Sequence, residues 1–179
     1  MDVIYHAACS LDGFIATEHG TVDWLTPFQE SGDDHGFTEF FASVDSLLMG
    51  SHTYEFMLEH PPWLAPDKPS LVFTSRDLPS ADESVEFTNQ TPREALAGFR
   101  SRGLKRTWLM GGGQLATALR KDGLITEYRI ALVPVILGAG IPLFARSPQL
   151  DQFDELQLTD TKIHSSGIVQ LTHVPKPPS

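Results

Sequence analysis

Residues 107–121 restrict the fold more than any other stretch of the chain. Thr107 to Met110 reads as a strand, runs without a spacer into Gly111-Gly112-Gly113, and is followed by a short helix from Gln114 to Lys121 that Gly123 closes. A strand that turns at once into a helix is half of a crossover unit, and crossovers build parallel sheets. The same order recurs elsewhere. Ser46 to Met49 is a short strand ending at Gly50, and Ser51 to Leu58 is a helix that Pro61-Pro62 stops. Val3 to Cys9 is a mostly apolar run, as expected of a strand buried on both faces. Asp33-Asp34 precede Phe37, Phe40, Phe41 and Val44, an amphipathic helix with an Asp as N-cap.

Ser70 to Thr74 and Val85 to Phe87 add two strands, and Pro92 to Arg102 a helix with proline in its first turn. Ile125 to Leu137 is a long run with Pro134 inside it, which calls for a bulge or strand edge there. Leu156 to Ile163 and Gly167 to Val174 alternate around His164-Ser165-Ser166 as a closing hairpin, and the 175–179 tail should fray. Leu11 to Gln29 is loop-like, with apolar anchors that suit a binding loop or lid. The expected class is α/β, with a mostly parallel central sheet and an antiparallel C-terminal edge hairpin.

A chain of 179 residues suits one domain, spanning 1–179. Its formal net charge of -10 argues against nucleic acid as a partner, since phosphate contacts need a basic face. Cys9 is the only cysteine, so a disulfide within the chain and a Cys-rich zinc site are both excluded; its apolar surroundings suit a core residue. The N-terminus lacks a basic-then-apolar leader and no stretch is long enough to span a membrane, so the expected compartment is the cytoplasm. The seven histidines show no pair at ligand spacing on a helix, and no metal is expected.

Three sites at strand ends carry chemistry. Gly111-Gly112-Gly113-Gln114-Leu115 lets backbone approach a phosphate at a helix start, although a tight turn that binds nothing is the alternative. It is not the G-x-G-x-x-G fingerprint. Gly50-Ser51-His52-Thr53 repeats the arrangement with two hydroxyls, or is a capped helix. Thr74-Ser75-Arg76 suits a phosphate monoester, or is a solvated turn. Three such sites at the carboxyl ends of parallel strands describe a dinucleotide with an extra phosphate.

These residues resemble the dihydrofolate reductase superfamily, in the branch similar to the C-terminal reductase domain of the riboflavin-biosynthesis protein RibD. The markers are the Ser10–Ala16 stretch SLDGFIA, Asp23-Trp24-Leu25, Val44–Gly50 with Thr53-Tyr54-Glu55, the Gly111–Gly113 run, and Val133–Phe144. The resemblance implies a three-layer dihydrofolate reductase-like fold, NADPH as cofactor, and a homodimer, with the Ile125–Leu137 region as its expected seat. It implies pyrophosphate contacts at Gly111–Leu115, with a cis peptide at Gly111–Gly112, and at Gly50–Thr53. It further implies an adenosine 2′-phosphate site at Thr74-Ser75-Arg76 and nicotinamide contacts from the backbone of Ala8 and Ile15, under a loop at Leu11–Trp24. The family usually carries Arg where this chain has Ser51, which leaves NADH open as the cofactor.

On the substrate side, Asp34 falls where dihydrofolate reductases place a pterin-binding carboxylate, or is simply a helix cap. Asp12 is a substrate ligand or fixes the turn before Gly13. Trp24, Phe37 and Phe41 wall a pocket for a flat ring, or are plain core. The expected function is NADPH-dependent hydride transfer to a small substrate resembling a ribosylamino-pyrimidine or a dihydropterin, with Asp34, Asp12 or water giving the proton. The alternatives are a non-catalytic NADP-binding or regulatory protein, and a structural domain that binds no dinucleotide.

Overall fold

The computed structural model describes residues 1–29, 32–146 and 153–177. The chain opens with β1 (Asp2–Ser10) and the short β2 (Phe14–Ala16), then a 3-10 turn at Asp23–Leu25 and α1 (Thr26–Gln29). There follow α2 (Phe37–Ser43), β3 (Ser46–Gly50), α3 (Ser51–Leu58), β4 (Ser70–Phe73), β5 (Val85–Thr88) and α4 (Pro92–Ser101). Next come β6 (Arg106–Gly111), α5 (Gly113–Lys121), β7 (Glu127–Val133) and β8 (Ile141–Pro142). The chain closes with β9 (Leu156–Ile163) and β10 (Val169–Pro175). Of the tail expected to fray, Pro175 still belongs to β10, while 178–179 lie outside the described residues.

One sheet has the order β5-β4-β3-β6-β1-β7-β10-β9. Pairings from β5 through β7 are parallel, and β10 pairs antiparallel with both β7 and β9. The sheet is α/β and mostly parallel, with an antiparallel C-terminal hairpin at one edge. Alternation along the central strands sorts the core into two layers. Val3, Tyr5, Leu48 and Leu109 face Leu96 and Phe99 of α4 and Leu115 and Leu119 of α5. Ile4, Leu47, Met49 and Trp108 face Phe40 of α2 and Tyr54 of α3. Most of these side chains are fully buried, and each contributes about 1.5–3 kcal/mol. Cys9 is among the buried residues.

The interruption expected at Pro134 in the run from Ile125 to Leu137 is the end of a strand rather than a bulge: β7 stops at Val133, because Pro134 has no N–H for a ladder. Beyond it the chain turns, Val135 N–H donating to the Val133 carbonyl at 2.7 Å. The 11–29 stretch is not a plain loop, since β2 pairs with β8 and two short helices follow. Among the described residues no helix is long and apolar enough to cross a membrane.

Candidate functional site

Parallel pairing brings the carboxyl ends of β4, β3, β6 and β1 to one edge of the sheet. Gly50 stands opposite Phe73, and Met49 opposite Gly111. Gly50 and Gly112 are the N-caps of α3 and α5, and no side chain caps either helix. Their first-turn N–H groups therefore remain for an anion. The peptide between Gly111 and Gly112 is cis. Thr53 of α3 lies beside the second turn: a methyl on Gly111 or Gly112 would stand 3.5 or 3.6 Å from its hydroxyl. Gly113 is fixed by packing, because a Cβ there would stand 2.4 Å from the Pro142 carbonyl. Gln114 is exposed beside it, while Leu115 turns into the core.

Just past β4, Arg76 lies on the same edge, with Thr74 accepting its backbone N–H at 3.0 Å. Ser75 is exposed between them. The guanidinium is forked onto Glu55 of α3, at 2.9 and 2.7 Å. This pairing raises the pKa of Arg76 and lowers that of Glu55. The cation of the third strand-end site is thus half-neutralised by a residue of the second. Ser51 and His52 occupy the first turn of α3 and bring no permanent charge.

On the far side of β1, a cavity of about 330 Å³ opens against the sheet. Ala8, Ala131 and Gln170 form one row of its floor across β1, β7 and β10. His6 lies two residues back on the same face. Its ring stacks on Phe40 at 4.1 Å, and its buried Nδ1 has no hydrogen-bond partner among the described residues. Burial, helped by the nearby Arg129 cation, pushes its pKa down to about 4, so His6 is neutral at physiological pH. Leu25, Phe28 and Phe37 supply apolar wall. Ile15, half-buried on β2, belongs to the short hairpin beside β1.

The two carboxylates picked from the sequence are both engaged with the backbone. Asp34 lines the cavity, but its oxygens accept the N–H groups of Gly36 at 2.9 Å and Thr38 at 3.0 Å. Asp12 accepts the Ser10 hydroxyl at 2.6 Å and the N–H groups of Leu137 and Gly138 at 3.1 and 2.7 Å, and it stands outside the lining. Hydrogen bonds from Thr38 and Ser10 respectively head the causes that lower the two pKa values, so both groups stay ionised near neutrality. Asp34 holds the start of α2, and Asp12 clips the β1 turn to the segment after β7.

Phe37 is in the cavity wall as expected, but Trp24 is not: the 3-10 turn presents Leu25 instead, and α1 adds Phe28. Phe41 stacks on Phe37 from behind. His6, His35 and Gln170 line the cavity without having been singled out in the sequence, and so do Asp33 and His164, read there only as part of a helix start and of a hairpin turn. Alternation along β1 placed His6 on the face of Ala8, and that signal was legible. Nothing in the order of residues joins 164–170 to 33–35.

A model of the RibD C-terminal domain matches residues 2–169. A Bacillus subtilis protein known as the uncharacterized protein YwjB is 36% identical over 172 residues, covering 96% of each chain. A solved structure from Shewanella sp. PV-4, provisionally named a riboflavin biosynthesis protein, superposes with a TM-score of 0.88 at 27% identity, over 99% of this chain and 100% of that one. A Thermotoga maritima deaminase and 5-amino-6-(5-phosphoribosylamino)uracil reductase shares the fold, with a TM-score of 0.73 at 14% identity over 98% of this chain and 56% of its own.

Proposed function

The chain belongs to the RibD C-terminal domain family, and from that premise we propose that it is a cytoplasmic NADPH-dependent reductase of a small polar heterocycle of the ribosylamino-pyrimidine class. One observation carries this reading: the order of sites along the sheet. Arg76 and Thr74 at β4, the paired helix starts at β3 and β6, Ala8 of β1 and then the cavity follow one another along one edge. From β4 to β1 is three strand spacings, about 14 Å, which suits a dinucleotide lying extended with its reactive ring toward the cavity.

When bound, the nicotinamide would supply the hydride, and the protein's share is placement. The N–H groups at the starts of α3 and α5 would hold the pyrophosphate, together with Thr53 and with Gln114 at the helix rim. Arg76, Thr74 and Ser75 would hold the 2′-phosphate. Backbone at Ala8 and Ile15 would orient the carboxamide. In the cavity, the Gln170 amide would fix the polar edge of the substrate, over a floor that includes the neutral His6 ring, while Phe28 and Phe37 exclude water from its faces. Asp34 and Asp12 are held ionised and serve as anchors, so we assign the proton to solvent water.

Calorimetric titration with NADPH and NADH, followed by NADPH oxidation against ribosylamino-pyrimidine and dihydropterin substrates, tests the proposal. Saturable NADPH binding and turnover with the pyrimidine are the expected results. Binding without turnover on either substrate would leave a dinucleotide-binding protein and remove the enzyme. Absence of binding by both dinucleotides would remove the cofactor assignment itself.

A further inference from the structure

A second cluster at the cavity is not used by hydride transfer. Asp33 and His35 lie in the segment before α2, and His164 lies in the turn between β9 and β10. One ligating atom from each falls within 4.8 Å of the others. Asp33 Oδ2 and His164 Nδ1 are 3.0 Å apart. Neighbouring ligands of a zinc-like cation, with bonds of ~2.0–2.1 Å, stand roughly 3.3 Å apart in a tetrahedron, so this pair is near the spacing of two ligands on one ion. His35 is held beside them in the left-handed region, φ 53°, by its N–H donating to Asp33 Oδ1 at 2.8 Å. Its Nε2 contacts the Ser166 hydroxyl at 2.9 Å, the kind of outer hydrogen bond that orients a ligating imidazole through its other nitrogen. The two imidazole rings are 4.8 Å apart. His164 is mostly buried, and its Nε2 has no hydrogen-bond partner among the described residues. A hydrogen-bonded clasp between two loops would account for the Asp33–His164 contact alone, but not for a second imidazole that offers a ligand atom within 4.8 Å of both.

We propose that Asp33, His35 and His164 form a binding site for one divalent transition cation of the zinc type, with its open positions toward the cavity. Two imidazoles and one carboxylate suit zinc, cobalt or nickel, whereas magnesium and calcium take oxygen ligands. When the cation takes the Nδ1 lone pair of His164, the Nδ1 proton passes to solvent and Nε2 takes one up, so the imidazole stays neutral while Asp33 Oδ2 turns from proton to metal; His35 closes in through Nδ1 and keeps Nε2 on Ser166. Three protein ligands leave the fourth position for water or for a donor atom of the cavity's occupant. The site needs no dinucleotide, so it stands apart from the reductase reading.

The test uses the full-length chain freed of metal with a chelator and titrated with Zn²⁺, and with Co²⁺ as a visible-absorbing probe, in the absence of any dinucleotide. One Zn²⁺ per chain is expected, together with a cobalt d–d band and no competition from excess Mg²⁺. His164→Asn keeps an amide to donate to Asp33 but removes the ligand, and His35→Ala removes the other imidazole. Each should weaken Zn²⁺ binding at least about tenfold, with the metal-free melting curve checking that the variant is folded. No stoichiometric binding to the folded wild type would overturn the site, and so would binding that neither substitution weakens.

Discussion

Glu55 and His6 show how a single side chain sets the properties of its surroundings. Glu55 takes both outer nitrogens of Arg76, the cation proposed to receive the 2′-phosphate. A carboxylate there competes with the phosphate for the guanidinium and repels it. Glu55→Gln should therefore tighten NADPH binding by up to about fivefold, the range of an exposed charge pair, and leave NADH binding unchanged. Parallel titrations of both dinucleotides check this, and an equal change in both would contradict it. His6 is buried neutral, its pKa lowered from 6.5 to about 4. Below pH 6.5 the unfolded chain gains a proton at His6 that the folded chain refuses until about pH 4, so stability falls as pH drops through that window. The loss amounts to roughly 3 kcal/mol at most. His6→Gln should flatten the stability profile between those pH values relative to wild type, as measured by urea unfolding. Parallel profiles would show that His6 does not titrate this way.

At the scale of elements, the junction of α5 with the segment after β8 holds the crevice in shape. Ala145 N–H donates to the Gly113 carbonyl at 3.2 Å, the Thr117 hydroxyl reaches both the Gly113 and Ala145 carbonyls, and Tyr5 OH donates to the Leu143 carbonyl at 2.8 Å. A Cβ on Gly113 would meet the Pro142 carbonyl at 2.4 Å and the Ala145 nitrogen at 3.3 Å. Gly113→Ala forces backbone against backbone, and a loss of about 1–3 kcal/mol is expected on chemical unfolding, with weaker dinucleotide binding because the start of α5 shifts. Wild-type stability in this variant would mean that the segment moves aside freely. The strand–glycine–helix junctions at Gly50 and Gly111–Gly113 were legible because turn chemistry and periodicity are local. The end of β7 was less so: an apolar run beyond Pro134 reads like strand, and only the turn at Val135 shows where pairing stops.

For the whole molecule, the sheet decides where a second copy could join. The homodimer implied by the family resemblance was expected around Ile125–Leu137, but β7 is paired along both edges, with β1 and β10. The free edge on that side is β9, where Leu158 and Ile163 are exposed. We propose that a second copy of the chain joins there, in which case light scattering should give twice the chain mass of 19.8 kDa. Leu158→Lys with Ile163→Lys should return the monomer. A monomeric wild type would remove the dimer, and a dimer indifferent to both lysines would move it to another face.

The sequence by itself determined the class of the fold and the crevice. Strand runs, glycine turns and capped helices are each written within about ten consecutive residues, and parallel crossovers then bring their strand ends to one edge. Tertiary structure alone decided the cavity. Whether Asp34 faced a substrate or its own helix depended on which backbone N–H groups lay nearer, and they were those of Gly36 and Thr38. The meeting of Asp33 and His35 with His164 spans about 130 residues and rests on β10 pairing antiparallel with β7, a long-range contact that no local pattern of residue types encodes.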